Sequence, residues 1–155
     1  MLSRPVWLAA VAAISLIWLG MVIGVSFIAT PVKFAAASLT RPVAFDVGGV
    51  TFALFSRIEW SMCLIFALLM LAGRPNIRRL SVLVVIVAIV VLQGVWLLPE
   101  LNIRAAAVMA GKPLPPSIHH GVFAAVEVTK ALLLAGLAGA NLWSLANCDR
   151  TASAG

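Results

Sequence analysis

Charged residues are scarce in this chain: they make up 10% of its 155 residues, against 63% hydrophobic, where a soluble domain of this size carries about 25% charged. That shortfall excludes an ordinary water-soluble globule and makes a lipid bilayer the expected surroundings. Cysteine is sparser still. Cys63 falls within an apolar run and Cys148 in the C-terminal tail, and thiols at different depths cannot reach the Cα separation of about 7 Å that a disulfide needs. Two unbridged thiols are expected, Cys63 as a small packing residue. The chain also lacks a glycine-rich phosphate loop, a G-x-S-x-G elbow, a C-x-x-C or H-x-x-x-H metal spacing, and histidines on separate runs that could clamp a haem. Internal repeats and inverted symmetry are not evident, which weighs against a self-contained secondary transporter. Acidic residues are few, 5 against 11 Lys and Arg, for a net charge of +6. The basic residues sit in short connections rather than in a stripe, so nucleic acid is not the expected partner.

What the chain has in quantity is long apolar runs. About 20 apolar residues at a rise of about 1.5 Å cross a hydrocarbon core of roughly 30 Å. Four stretches meet that length, at about 7–29, 55–71, 80–98 and 121–145. The expected fold is all-α, a single transmembrane domain over 1–155 forming an antiparallel four-helix bundle. The connection Pro31 to Ser56 mixes Phe34, Phe45, Phe52 and Phe55 with Lys33, Arg41 and Asp46, as suits an interfacial segment between helices one and two, bent at Gly48 and Gly49. A cleavable signal peptide is the rival reading of the first run, with Arg4 before it and Ala35-Ala36-Ala37-Ser38 after it. An h-region of about 7 to 15 residues is shorter than this run, which favours a retained helix.

Loop charges orient the bundle. Arg74, Arg78 and Arg79 crowd the turn between the second and third runs, on the same side as Arg4 and Arg150. Lys33, Arg41, Arg104 and Lys112 are diluted over two longer connections. The positive-inside rule then makes both termini cytoplasmic in a multi-pass protein of the cell inner (plasma) membrane. The connection before the fourth run holds three prolines in four residues, followed by Ser117 as the expected N-cap. Gly20 with Gly24, and Gly136 with Ala140, are small-xxx-small steps at which helix backbones could approach closely.

Ionisable groups inside the runs are the functional signal, because a charge at mid-bilayer costs roughly 2.5 to 3.5 kcal/mol on insertion scales and such residues usually face a bundle interior. Glu127 and Lys130 lie in the fourth run, where His120, Ala124, Glu127, Ala131, Leu134, Ala138 and Asn141 share one face by the 3/4 spacing. With Arg57, Glu59 and Gln93 they cluster toward the outer half of the bundle, which predicts an outward-open polar pocket of Glu59, Arg57, Gln93, Glu127 and Lys130. Arg57 and Glu59 also read as an interfacial anchor, and Glu127 with Lys130 as an internal ion pair that fixes helix packing. His119, His120 and Glu127, joined by Glu59, are ligand types suited to a transition metal; the lack of a recognised metal spacing favours the histidines as solvated residues at a helix start.

Three segments carry a family likeness: Ile28-Ala-Thr-Pro-Val-Lys-Phe, Gly48-Gly-Val-Thr-Phe-Ala-Leu-Phe-Ser-Arg-Ile-Glu-Trp, and His119-His-Gly-Val-Phe-Ala-Ala-Val-Glu-Val-Thr-Lys. Together they resemble small four-span bacterial membrane proteins of the transmembrane protein 205-like group, with Pro31 and Phe34 matching a P-x-x-F step and His119 or His120 a histidine before the last helix. The resemblance implies the four-span architecture and a link to metal or drug handling. Three functions follow from the residues: an outward pocket that binds or helps move a metal ion or small amphiphile; an accessory or assembly subunit, as homo-oligomer or with a membrane partner; and a small membrane enzyme. The absence of a catalytic signature argues against the last.

Overall fold

The computed structural model describes residues 3–73, 75–112 and 115–152. Arg74 and the pair Pro113 and Leu114, all part of the expected loops, lie outside the described residues, as does the Arg150 side chain. Four long helices account for nearly all of the rest: α1 (Arg4–Ala35), α2 (Arg41–Ala72), α3 (Ile77–Met109) and α4 (His119–Ala152). Each is long and apolar enough to cross a membrane.

The ends follow local chemistry. Pro5 and Pro42 occupy the first turns of α1 and α2, where a missing N–H costs nothing. Asn76 caps α3, its Oδ1 accepting from the Arg79 N–H at 3.1 Å. Gly111, at φ 69°, ends α3 in the left-handed conformation, and the Lys112 N–H reaches back to the Ala107 carbonyl. Before α4, the Ser117 Oγ accepts from the His119 N–H at 3.2 Å, which gives it the expected capping role.

Two helices contain a stretch of wide, π-type turns, Ile23–Ala29 in α1 and Gln93–Leu97 in α3. In each, the residue after the stretch donates its N–H five residues back: Thr30 to the Val25 carbonyl, Leu98 to the Gln93 carbonyl. Pro31 and Pro99 come next in sequence. A proline ring inside an α-helix strikes the carbonyl four residues earlier, and the wider turn moves that carbonyl aside.

Sequential helices are neighbours, and α1 closes the ring by packing most extensively on α4, which is the up-down-up-down bundle. The interior is built from Trp7, Leu8, Val11, Trp18 and Val22 of α1, Phe55, Phe66 and Met70 of α2, Leu83, Ile86 and Val90 of α3, and Leu134 and Leu137 of α4. Trp18 meets Phe66 edge to face, with ring centroids 6.0 Å apart. Ile17, Leu64, Leu68, Val84, Val95, Leu132 and Trp143 point outward and are exposed. In water this belt would be an aggregation surface; lipid tails are its natural contact.

Three expectations change. The segment 31–56 is helical except at 36–40, because α1 runs on to Ala35 and α2 begins at Arg41. Gly48 and Gly49 therefore lie inside α2 rather than in a connection before it, and Gly48 leaves room for the Lys33 ammonium. Gly20, Gly24 and Gly136 have no neighbour where a Cβ would stand, so the close backbone approach expected there does not occur. What does come close at a glycine is a side chain: the Trp7 indole is seated against Gly73.

Candidate functional site

The four helices converge on one polar cluster. Lys130, fully buried on α4, donates its three ammonium protons to the carboxylate Oε1 of Glu59 on α2, to Gln93 Oε1 on α3 at 2.9 Å, and to Glu127 Oε1 one turn away at 2.8 Å. Gln93 Nε2 donates to the same Glu127 oxygen at 2.8 Å, and the Trp18 indole N–H of α1 donates to Glu59 Oε1 at 3.0 Å. Each of the five is 5% exposed or less. Hydrocarbon surroundings explain the saturation, since a buried donor without an acceptor costs more than a bond gains. Among the described residues three buried side-chain atoms escape it: Glu127 Oε2, Asn141 Oδ1 deeper on α4, and Ser26 Oγ on α1.

Of the predicted pocket residues, Glu59, Gln93, Glu127 and Lys130 come together, while Arg57 is exposed on the outer side of α2 and takes no part in the cluster. The expected inward stripe of α4 is present at Glu127, Leu134, Ala138 and Asn141, but Ala124 and His120 are exposed. The cluster lies at mid-height of the bundle, since Gln93 is the central residue of the 33-residue α3. Hydropathy had put these groups nearer the outer rim because it saw only the apolar part of each helix.

Above the cluster, toward the end where α1 and α3 finish, the bundle is hollow. A void of about 10 Å³ touches Glu59, Gln93, Phe52 and Phe123. Phe52, Leu98 and Phe123 also line a cavity of about 110 Å³, walled by Phe34 and Phe45 and carrying Lys33, Asn102 and His120. Lys33 Nζ lies 5.2 Å and 5.7 Å from the ring centres of Phe34 and Phe52, within cation–π reach. Outward again, a cleft of about 410 Å³ shares Phe34, Phe45 and His120 and adds Arg41, Arg104 and Ser117. The Arg104 guanidinium also donates to the Pro115 carbonyl. No carboxylate lines the cavity or the cleft among the described residues.

The histidines do not meet Glu127. The His119 ring packs edge-on to Trp96 and its Nδ1 shares a 2.5 Å hydrogen bond with the Ser117 hydroxyl, while His120 faces the cavity and Glu127 is enclosed in the cluster. Among the described residues, no three His, Cys, Asp or Glu side chains form a set that could hold a metal. Cys63 and Cys148 are not bridged to one another; Cys63 is buried, and Cys148 lies within α4 against the core rather than in a tail.

Sequence reasoning missed Trp18 and Phe123, which look like any apolar residue in an apolar run; it read Phe52, Lys33 and Arg41 as parts of an interfacial segment and Arg104 as a loop charge, not as cavity lining. The opposite end is closed: Trp7 donates to the Leu69 carbonyl at 2.6 Å, and the Arg79 guanidinium covers the indole at 5.0 Å.

Neither the curated proteins nor the solved structures include a match to this chain. A family does match: residues 7–112, which hold Trp18, Glu59 and Gln93 but stop short of Glu127 and Lys130, fit a domain of unknown function, and by that match over more than half its length the chain belongs to the DUF4149 family.

Proposed function

We propose that this chain is a binding component of a membrane, a single domain whose hollow end receives a small anionic amphiphile. The single observation behind the reading is the lining of the cavity and cleft: Phe34, Phe45, Phe52 and Phe123 for an apolar body, and Lys33, Arg41 and Arg104, with no carboxylate in the described lining, for an anionic head. Sites for small ligands are mostly apolar with a few placed polar groups. By the loop charges the hollow end faces away from the cytoplasm, with both termini inside. The likeness to the transmembrane protein 205-like group agrees with small-molecule handling. A metal held by His119, His120 and Glu127 ranks below this reading, because His119 is engaged with Ser117 and Trp96. An accessory role ranks below it as well; a partner chain or second copy would have to cover part of the outward apolar belt.

A fluorescent fatty acid and its matched alkylamine, titrated into the purified protein in nanodiscs, test it. Saturable binding of the acid, no saturable binding of the amine, and about a tenfold or greater loss of affinity in Arg41→Ala/Arg104→Ala are expected, in line with about 1.4 kcal/mol per factor of ten. Equal binding of acid and amine, or an unaffected double variant, would remove the anionic reading.

A further inference from the structure

We propose that the Glu59 and Glu127 carboxyl groups together hold one exchangeable proton, so that the centre of the bundle is a proton-binding site. The charge count leads there. Two carboxyls face one ammonium, that of Lys130. Every element packed against them contributes only neutral groups besides: Trp18 from α1, Cys63 from α2 and Gln93 from α3. Among the described residues, no second cation is buried, and Arg57, two residues before Glu59 and so on the far side of α2, is exposed. With both carboxyls ionised, a net negative charge would sit among side chains that are 5% exposed or less, where an uncompensated ion costs several kcal/mol. Like-charged carboxyls sharing such a site keep a proton between them, and the titration belongs to the pair.

The hydrogen bonds leave a position for that proton. Lys130 has no N–H to spare, Glu127 Oε1 already accepts from both Lys130 and Gln93, and Glu127 Oε2 is buried with no partner. A bare carboxylate oxygen is the costlier occupant of such a position; a carboxylic O–H is neutral. The proton also has a route. The void of about 10 Å³ beside Glu59 and Gln93 is about the smallest that admits one water, and it shares Phe52, Leu98 and Phe123 with the larger cavity. Phe52 and Phe123 meet edge to face at 5.5 Å, and either ring swinging aside would join the two spaces. The site does not depend on what occupies the cavity.

Infrared spectroscopy of the protein in nanodiscs, with carbon-13 in its glutamate carboxyls, reads the proton directly. The wild type at neutral pH should show a protonated-carboxyl band from the pair that disappears at alkaline pH. Glu59→Gln and Glu127→Gln should each abolish it, since the remaining carboxyl then pairs with Lys130 alone. Phe123→Ala should speed its deuterium exchange tenfold or more; unchanged exchange would overturn the route. Absence of the band in the wild type at neutral pH, or its survival in both glutamine variants, would overturn the site. The wild-type titration alone decides if a variant does not fold.

Discussion

Lys130 binds acceptors on three helices through one ammonium, so its loss is felt unequally around the cluster. Removing it leaves Glu59 and Glu127 facing each other without a counter-charge, and breaking a buried pair from one side costs about 3–5 kcal/mol. Lys130→Met should therefore be the most destabilising single change in the cluster, read as a fall in detergent melting temperature. Adding Glu59→Gln should recover part of that loss, because residues in one network do not add. Strict additivity would mean that the two groups sit in separate environments. The members of this cluster were readable in the sequence to the extent that they were out of place there: a Glu, a Gln and a Glu-Lys pair inside apolar runs. Trp18 was not, since its one N–H is hidden in a residue that otherwise counts as apolar. Arg57 misled because adjacency to Glu59 in sequence says nothing about facing, and it lies on the outer side of α2.

At the level of helices, the four runs and their order were legible, while their lengths were not. Hydropathy measures how far an apolar run extends, and α2 begins at Arg41 with a first third that is aromatic and charged yet still helical. The wide turns were equally invisible, because one extra residue per turn leaves the apolar content unchanged; Pro31 and Pro99 were the hints. The turn at 93–97 turns Gln93 toward Lys130 and then lets Leu98, Leu101, Asn102 and Ala105 line the cavity. Deleting exposed Val95 together with Pro99→Ala should shrink the wide turn to an α turn while both flanks keep their facing. Deleting exposed Val84 from the regular part of α3 rotates all that follows by about 100°. Thermal melting in detergent should leave the first variant near wild type and abolish the folded state of the second. Equal damage from both would mean that the turn is needed for its own geometry.

The molecule as a whole has one hollow end and one closed end. Sequence charges assigned the closed end, with Arg78 and Arg79, to the cytoplasm, but the hollowness of the other end required four chain segments far apart in sequence to meet. The orientation can be checked with cysteine substitutions in a background lacking Cys63 and Cys148. A thiol at exposed Ile77 should be shielded from an impermeant reagent in intact cells, and one at exposed Lys112 should label. Reversed labelling would turn the hollow end to the cytoplasm without altering its chemistry.

The mid-height position of the cluster has an electrical consequence. Gln93 is the central residue of α3, so in a helix centred on the bilayer a proton reaching Glu59 and Glu127 from the hollow end traverses about half of the transmembrane voltage. Half of the full value is roughly 1.2 kcal/mol for each 100 mV, about a sevenfold change in proton occupancy between an energised and a collapsed membrane. With an interior-negative potential and the hollow end outside, the field draws the proton inward and holds the pair loaded; reversing the orientation would make the same potential empty it.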